Sequence, residues 1–435
     1  MVAKPKTKGT AVNDSARKPT ALRAPVVSIQ IPLPVVESLL AAREDLFSLF
    51  VDTGRDVLRA MMEQDRVALC GPRGKRLPER AAVRAGSAPS EVTLGGQRIA
   101  MRRLRARSAE GELTLPSFAF AADRDPLDRR TWLAIARGVS TRGYRDVVDP
   151  LPEPEVGRAI SKSAVSRRFV ALSTERLREL TTRSLGELGI RAVLIDGIIF
   201  HDHAILIALG VSGDGKKHPL ALREGATENS TVAKALLEDL IERGLSTEQP
   251  TLFVIDGSKA LRRAIRDVFG PLGIVQRCQV HKQRNVLEHL PENVRPRVRR
   301  ALRGAWEMAD AGVAERRLRA LAGSLEREHP GAASSLLEGL PETLTVQRLG
   351  VRGALYRTLR TTNAIENLNG GVARFTRNVK SWQGGAMLLR WVGAGVVRAS
   401  DGFRRVRGHA DMPTLIAALD RTIKHNTLDR QAKAA

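Results

Sequence analysis

Two aspartates stand where strands should be purely apolar, and they constrain the fold of this chain more than any other feature. Asp196 interrupts the run Ala192-Val-Leu-Ile-Asp-Gly-Ile-Ile-Phe200, and Asp256 ends the run Leu252-Phe-Val-Ile-Asp256. An ionised carboxylate in a buried strand is costly unless something cationic pairs with it. A third acid, Glu366, lies in Thr361-Thr-Asn-Ala-Ile-Glu-Asn367, which opens a long helical pattern. Two strand acids and one helix acid suggest a divalent-metal site.

The segments around these acids predict how they meet. Three apolar runs follow Arg191 in quick succession, at 192–200, 203–211 and 218–223, with Asp202-His203 and Gly213-Asp-Gly215 as turn signals. A helix over Ser230 to Arg243 comes next. It is followed by a strand at 251–256, a helix at 258–269, a strand at 273–277 and a helix from about 281. A meander followed by strand–helix alternation describes a mixed α/β sheet of five strands. Right-handed crossover places strand 251–256 beside the first strand. Asp196 and Asp256 then approach each other at one sheet edge, although 256 − 196 = 60 positions separate them. Residues 292–358 are helical and basic with no strand pattern, and read as an all-α insertion. The sheet domain, 187–291, resumes over 359–407 with the helix that carries Glu366, and a C-terminal helix and tail fill 408–435.

The N-terminal part reads differently. Residues 1–25 have the composition of a disordered basic tail. Residues 26–125 read as mostly helical with a basic β-ribbon. Helical periodicity begins at Pro34, and a second helix is expected from Thr53, a plausible N-cap. A hairpin is expected over 91–107 around Gly95-Gly96, with Arg103, Arg105 and Arg107 on one face. Such a ribbon can track a phosphate backbone or be a charge-protected edge strand. Residues 126–186 resemble a helix-turn-helix, with a first helix at 140–148. In the second, Ser161 caps the helix and Val165 and Phe169 face the core. Lys162, Ser163, Ser166 and Arg167 face out to DNA. An ordinary amphipathic surface helix has the same pattern.

Charge narrows the partners. Lys plus Arg number 71 against 47 Asp plus Glu, a formal charge of +24. Nucleic acid is the first candidate partner and an anionic membrane surface the second. No apolar run reaches the length of a transmembrane helix and no signal peptide is evident, so no membrane role is expected. Two distant cysteines, Cys70 and Cys278, make no disulfide framework. A cytoplasmic, nucleoid-associated protein is the expectation.

The segments Leu194-Ile-Asp-Gly197, Val254-Ile-Asp-Gly257, Val275-Gln-Arg-Cys-Gln-Val-His-Lys282 with Arg284-Asn285, and Thr361-Thr-Asn-Ala-Ile-Glu-Asn367, with Trp382 and Arg390 downstream, resemble the mutator-type transposases of bacterial insertion sequences. The gap 366 − 256 = 110 positions fits that family's helical insertion. The resemblance implies a DDE recombinase with a ribonuclease-H-like catalytic domain. It implies Asp196, Asp256 and Glu366 as catalytic acids and metal ligands, using two Mg²⁺ or Mn²⁺ ions. It also implies cleavage at terminal inverted repeats and transfer of the 3′-hydroxyl into target DNA. Joining two ends implies a homo-oligomer on double-stranded DNA, at least a dimer. A catalytically inactive DNA-binding descendant and a ribonuclease-H-like nuclease are the alternatives.

Other residues carry weaker signals. Cys278 and His281, the family's other motif, are half of a tetrahedral metal site. A structural role after strand 273–277, or contact with DNA, fits them better. Arg374, Arg377 and Lys380 form a stripe on the Glu366 helix and, with Lys282 and Arg284, could grip phosphates. Arg295, Arg297, Arg299, Arg300 and Arg303 offer a second basic surface. His201 and His203 read as turn residues. Glu224 and Glu228 read as auxiliary acids or a solvated loop. Trp306 and Trp382 suit base stacking or ordinary packing.

Overall fold

The computed structural model describes residues 45–75, 80–94, 97–123, 135, 157–159, 161–200, 202–225 and 229–422. The expected basic tail, the helix start at Pro34, the Gly95-Gly96 turn, the 140–148 helix, His201, Glu228 and the last residues from 423 lie outside them. The chain divides into two compact units: Met1–Leu94 with Arg98–Pro126 and Asp149–Arg158, and Gly95–Gln97 with Leu127–Val148 and Ala159–Ala435.

The first unit contains α1 (Asp45–Cys70), β1 (Val83–Leu94), β2 (Gln97–Ser108), β3 (Gly111–Leu113) and α2 (Pro116–Asp123). A short β4 (Gly157–Ala159) pairs with β2. Its core gathers Met62, Val92, Met101, Leu104, Ala106, Leu115 and Phe118. Three expectations are corrected here. Thr53 does not cap a second helix, because α1 runs unbroken through it. A cap preference is worth about 1 kcal/mol, and the apolar face containing Leu58 and Met62 outweighs it. The hairpin begins at Val83, well before residue 91. Arg103 and Arg105 are both held by Glu112 of β3, at 2.8 and 2.6 Å, and they lie on β2, which is flanked by β1 and β3 and so is not the expected edge strand.

The second unit is organised by a mixed five-stranded sheet of order β7-β6-β5-β8-β9. Its strands are β5 (Ile190–Phe200), β6 (His203–Ser212), β7 (Lys217–Glu224), β8 (Thr251–Ile255) and β9 (Gly273–Arg277). The first three form an antiparallel meander, and β8 and β9 add in parallel beside β5. Strand 251–256 thus lies beside the first strand, as crossover handedness requires.

The central strands are apolar on both faces because helices cover both faces. Alternate residues go to opposite sides. Ala192, Leu194, Leu252 and Val254 pack on α12 (Asn363–Thr376), α13 (Gly385–Ser400) and their neighbours. Val193, Ile195, Phe253 and Ile255 pack on α4 (Ser230–Glu242) and α5 (Lys259–Phe269).

Past β9 the described residues are helical or in loops. The helices are α6 (Gln279–Glu288), α7 (Arg295–Trp306), α8 (Ala311–Glu326), α9 (Pro330–Leu337), α10 (Thr345–Arg348) and α11 (Gly353–Leu359), then α12 and α13, and a last helix over 412–422. Helices α6 to α9 share a core of their own, including Val286, Leu302, Leu318 and Leu336. Trp306 is buried in it, so packing and not base stacking accounts for Trp306. Among the described residues, no helix is long and apolar enough to cross a membrane.

Helix α3 (Lys162–Thr182) differs from the expected short recognition helix. Ser161 caps it as expected, its hydroxyl accepting from Ala164 N, and Val165 and Phe169 are buried. That buried face packs on Phe375, Trp391 and Ala394 of the second unit, with the Phe169 and Trp391 rings 4.3 Å apart. The helix runs for 21 residues because it is a cover for α13. Lys162, Ser163, Ser166 and Arg167 do face solvent.

Candidate active site

Strand parity explains where Asp196 and Asp256 point. Leu194 of β5 and Val254 of β8 are register partners on adjacent parallel strands, and both pack toward α12. Asp196 and Asp256 each lie two residues further along, so they inherit that face at equivalent positions. Adjacent strands lie about 4.8 Å apart, so the two carboxylates are neighbours. Their mutual charge is visible in Asp196. Burial, then the Asp256 charge, pushes its carboxyl up from 3.8 to about 6, with Glu366 adding to the rise and His281 opposing it.

Asp256 also makes a turn. Its Oδ1 accepts from Ser258 N at 3.0 Å, and Ser258 caps α5. Gly257 between them has φ 119°, and a Cβ there would strike the Arg277 guanidinium. Only glycine satisfies both conditions. The turn thus delivers the carboxylate to the end of β8 instead of competing with that role.

Glu366 sits in the first turn of α12, the end at which a helix favours an anion. Its Oε1 accepts from Thr362 Oγ1 at 2.8 Å and lies 3.7 Å from His281 Nε2. The same helix provides a residue that the sequence reading missed. One turn on from Glu366, Asn369 Nδ2 donates to Asp196 Oδ2 at 2.9 Å. Asn369 is 8% exposed, and its Oδ1 is buried without a hydrogen-bond partner among the described residues. Its i+3 spacing from Glu366 was the available signal.

Cys278 and His281 tie this arrangement together. Cys278 N donates to Ile255 O, beside Asp256, and Gln279 N donates to Arg360 O, just before α12. The buried Cys278 Sγ accepts from Thr362 N at 3.4 Å and lies 3.3 Å from Thr362 Oγ1, whose hydrogen goes to Glu366. His281 Nδ1 lies 3.4 Å from the same hydroxyl. The motif is a joint between the end of β8 and the start of α12. Burial pushes the Cys278 thiol up, but hydrogen bonds from His281 and Thr362 outweigh it and lower the net value. The hydrogen bond to Cys278 raises His281 against its burial, and the Glu366 and Asp196 charges add to the rise.

An all-oxygen donor set of three carboxylates suits a hard divalent cation. The raised Asp196 carboxyl marks uncompensated negative charge of the kind such a cation relieves. Among the described residues, no three acid, histidine or cysteine side chains are closed into a metal-holding geometry. Glu366 is turned onto Thr362 and His281.

The expected phosphate-gripping residues separate. Arg284, Arg374, Arg377 and Lys380 are exposed. Lys282 is not, and that expectation is corrected. It is 0% exposed, and its Nζ donates to the carbonyls of Ser335 and Glu338. Its position in α6 turns it into the helical core instead of toward solvent. His203 bonds Glu224 at 2.7 Å across the β6–β7 pair. Trp382 packs edge-on against Phe200.

Comparison with known proteins gives this geometry a lineage. The family model "Transposase, Mutator family" matches residues 36–405. The chain is 29% identical over 266 residues to the transposase of insertion sequence ISRM5 from Rhizobium meliloti strain 1021, covering 58% of this chain and 64% of that protein. It is 30% identical over 165 residues to the transposase of IS6120 from Mycolicibacterium smegmatis, covering 37% and 50%. It is 30% identical over 189 residues to the transposase of IS256 in transposon Tn4001 from Staphylococcus aureus, covering 41% and 45%. The matched stretches thus span about half to two thirds of these relatives. With the family model running through every strand and acid described above, this chain belongs to the Mutator family of transposases.

Proposed function

We propose that this chain is a DNA transposase that binds the terminal inverted repeats of an insertion sequence, cleaves a DNA strand there and joins the 3′-hydroxyl to target DNA. The observation that carries the reading is the meeting of Asp196, Asp256 and α12, bonded through Asn369 to Asp196 and presenting Glu366 alongside. The strand order β7-β6-β5-β8-β9 is compatible with a ribonuclease-H-like catalytic fold. The net charge of +24 suits a polyanionic substrate.

In this reading Asp196, Asp256 and Glu366 hold two divalent ions, Mg²⁺ or Mn²⁺. When bound, such ions supply Lewis acidity to the phosphate and lower the pKa of the attacking water or hydroxyl. The protein's own contribution is placement. Asp196 takes the central position because it faces both Asp256 and α12. Asn369 fixes the rotation of the Asp196 carboxylate, leaving its other oxygen for ligation. Thr362 and His281 set the position from which Glu366 closes. Exposed arginines take the flanking phosphates, and joining two ends calls for at least two protomers.

The test is the full-length Glu366→Gln variant with duplexes taken from the ends of the element that carries the gene. Strand cleavage in Mg²⁺ should disappear while end binding persists. Cleavage at the unsubstituted rate would refute the assignment of Glu366.

A further inference from the structure

Helix α12 has a second working face. Residues 364, 367, 368, 371, 374 and 375 recur at three- and four-residue intervals and form one wall of a groove of about 540 Å³. That face adjoins the one presenting Glu366 and Asn369. The other wall comes from α13 and the loop after it, ending at Phe403. The walls approach closely because both helices carry glycine at the contact. A Cβ on Gly371 would lie 3.2 Å from Ala399 Cβ, and one on Gly395 would lie 3.3 Å from Val372 and Phe375.

The charge of this groove is one-sided. Lys217, Arg374, Arg377 and Arg398 line it, and among the described residues no carboxylate does. Elsewhere in the same unit, arginines find acids: Arg243 with Asp239, Arg262 with Glu342, and Arg319 and Arg348 with Glu315. Arg374 and Arg377 are exposed and have no hydrogen-bond or ion-pair partner among the described residues. Among the described residues, Arg398 reaches only Asp401, at 3.4 Å. Lys217 is held over the Phe403 ring at 4.5 Å instead of against an acid. Like charges gathered around one groove repel unless an anion lies among them. Four cations from three separate elements line one groove, which suits a chain of phosphates better than a single ion.

We propose that this groove binds the sugar–phosphate backbone of duplex DNA beside the phosphate that reaches Asp196, Asp256 and Glu366. The assignment rests on the transposase reading and adds Lys217, Arg398 and Phe403 to the DNA surface. Helix α12 sets the spacing. Arg374 and Arg377 follow Glu366 by 8 and 11 residues, or roughly 12 and 16 Å along the axis. At about 3.4 Å per nucleotide step, the gripped phosphates lie about four to five steps from the reacting one.

The experiment measures binding of the full chain to an end duplex across a salt series. It compares the unsubstituted protein with Lys217→Gln/Arg374→Gln/Arg377→Gln and with a charge-matched control, Lys234→Gln/Arg263→Gln/Arg327→Gln. Each lost phosphate contact should flatten the log–log salt slope by about 0.9. The groove variant should therefore lose about 2 to 3 from the slope, and the control should keep the unsubstituted slope. An unchanged slope in the groove variant overturns the proposal, as does an equal loss in the control, which would reduce the effect to net charge. Should the triple variant melt early, the single variants Arg374→Gln and Arg377→Gln, both at exposed positions, are each expected to lose about 1. An unsubstituted chain with no salt-dependent DNA binding would overturn the transposase reading itself, a result distinct from a groove variant that binds with an unchanged slope.

Discussion

Asp196 and Lys282 are both charged groups withdrawn from water, and burial pushes both toward neutrality: Asp196 up to about 6 and Lys282 down to about 8. Their surroundings answer that cost in opposite ways. Lys282 also faces a like charge, Arg277, but it is given two backbone carbonyls and the Glu338 carboxylate. Asp196 is given the Asn369 amide, the Gly197 N–H and the His281 charge, but burial and a second acid, Asp256, outweigh them. A buried charge whose partners are supplied by the chain is part of the architecture. One left beside two further acids, as Asp196 is beside Asp256 and Glu366, is a place for a ligand of opposite charge.

This contrast can be broken most decisively at Asp196. Asp196→Asn should abolish Mg²⁺-dependent strand cleavage, a loss of at least about 10³-fold, assayed on end duplexes, and should leave the fold intact by circular dichroism. Lys282→Ala should instead cost stability, about 3 kcal/mol by urea unfolding, because it empties a packed site and leaves the buried carbonyls of Ser335 and Glu338 without their donor. Lys282→Met keeps the volume and should recover the packing part of that loss. If Lys282→Ala unfolds like the parent protein, the architectural reading of this lysine is wrong.

The two groups also impose opposite pH slopes. The native Asp196 carboxyl retains its proton between pH 3.8 and about 6, where the unfolded chain has lost it. Stability of the metal-free protein from this group therefore falls as pH rises through that window. Native Lys282 sheds its proton between about 8 and 10.5, where the unfolded chain retains it, so its contribution rises with pH there. Urea midpoints of the parent should show both slopes; Asp196→Asn should lose the first and Lys282→Met the second. At pH 7.5 Asp196→Asn should be about 3 kcal/mol more stable than the metal-free parent, and added Mg²⁺ should narrow that gap by stabilising only the parent. The smallest effect is expected at Asn369. Asn369→Ala should lower the cleavage rate about 10-fold and raise the Mg²⁺ concentration needed for half-maximal rate. A change in rate with no change in metal dependence would argue against its role in positioning Asp196.

Much of the second unit was legible from its residues. The five strands fall where apolar runs and turn signals place them, because strands covered on both faces must be apolar throughout. The pairing of β5 with β8 followed from crossover handedness. Less was legible where weak local preferences competed with packing. Thr53 has the chemistry of a cap but lies inside α1, and the outward residues of α3 fit either a recognition helix or the cover it forms for α13.

The sequence by itself determined which acids lie on strands and which lies on a helix, since periodicity and apolar context are local properties. Whether a given lysine reaches solvent, and which side chain steadies a carboxylate, was decided only by tertiary structure. Lys282 and Arg284 are two residues apart in one basic motif, yet one is sealed beneath Glu338 and the other is exposed. Asn369 reads as an ordinary polar helix residue until α12 is laid against β5, 173 positions away in sequence from the carboxylate it holds. Long-range contacts of this kind depend on the relative placement of whole elements, which no window of residues contains.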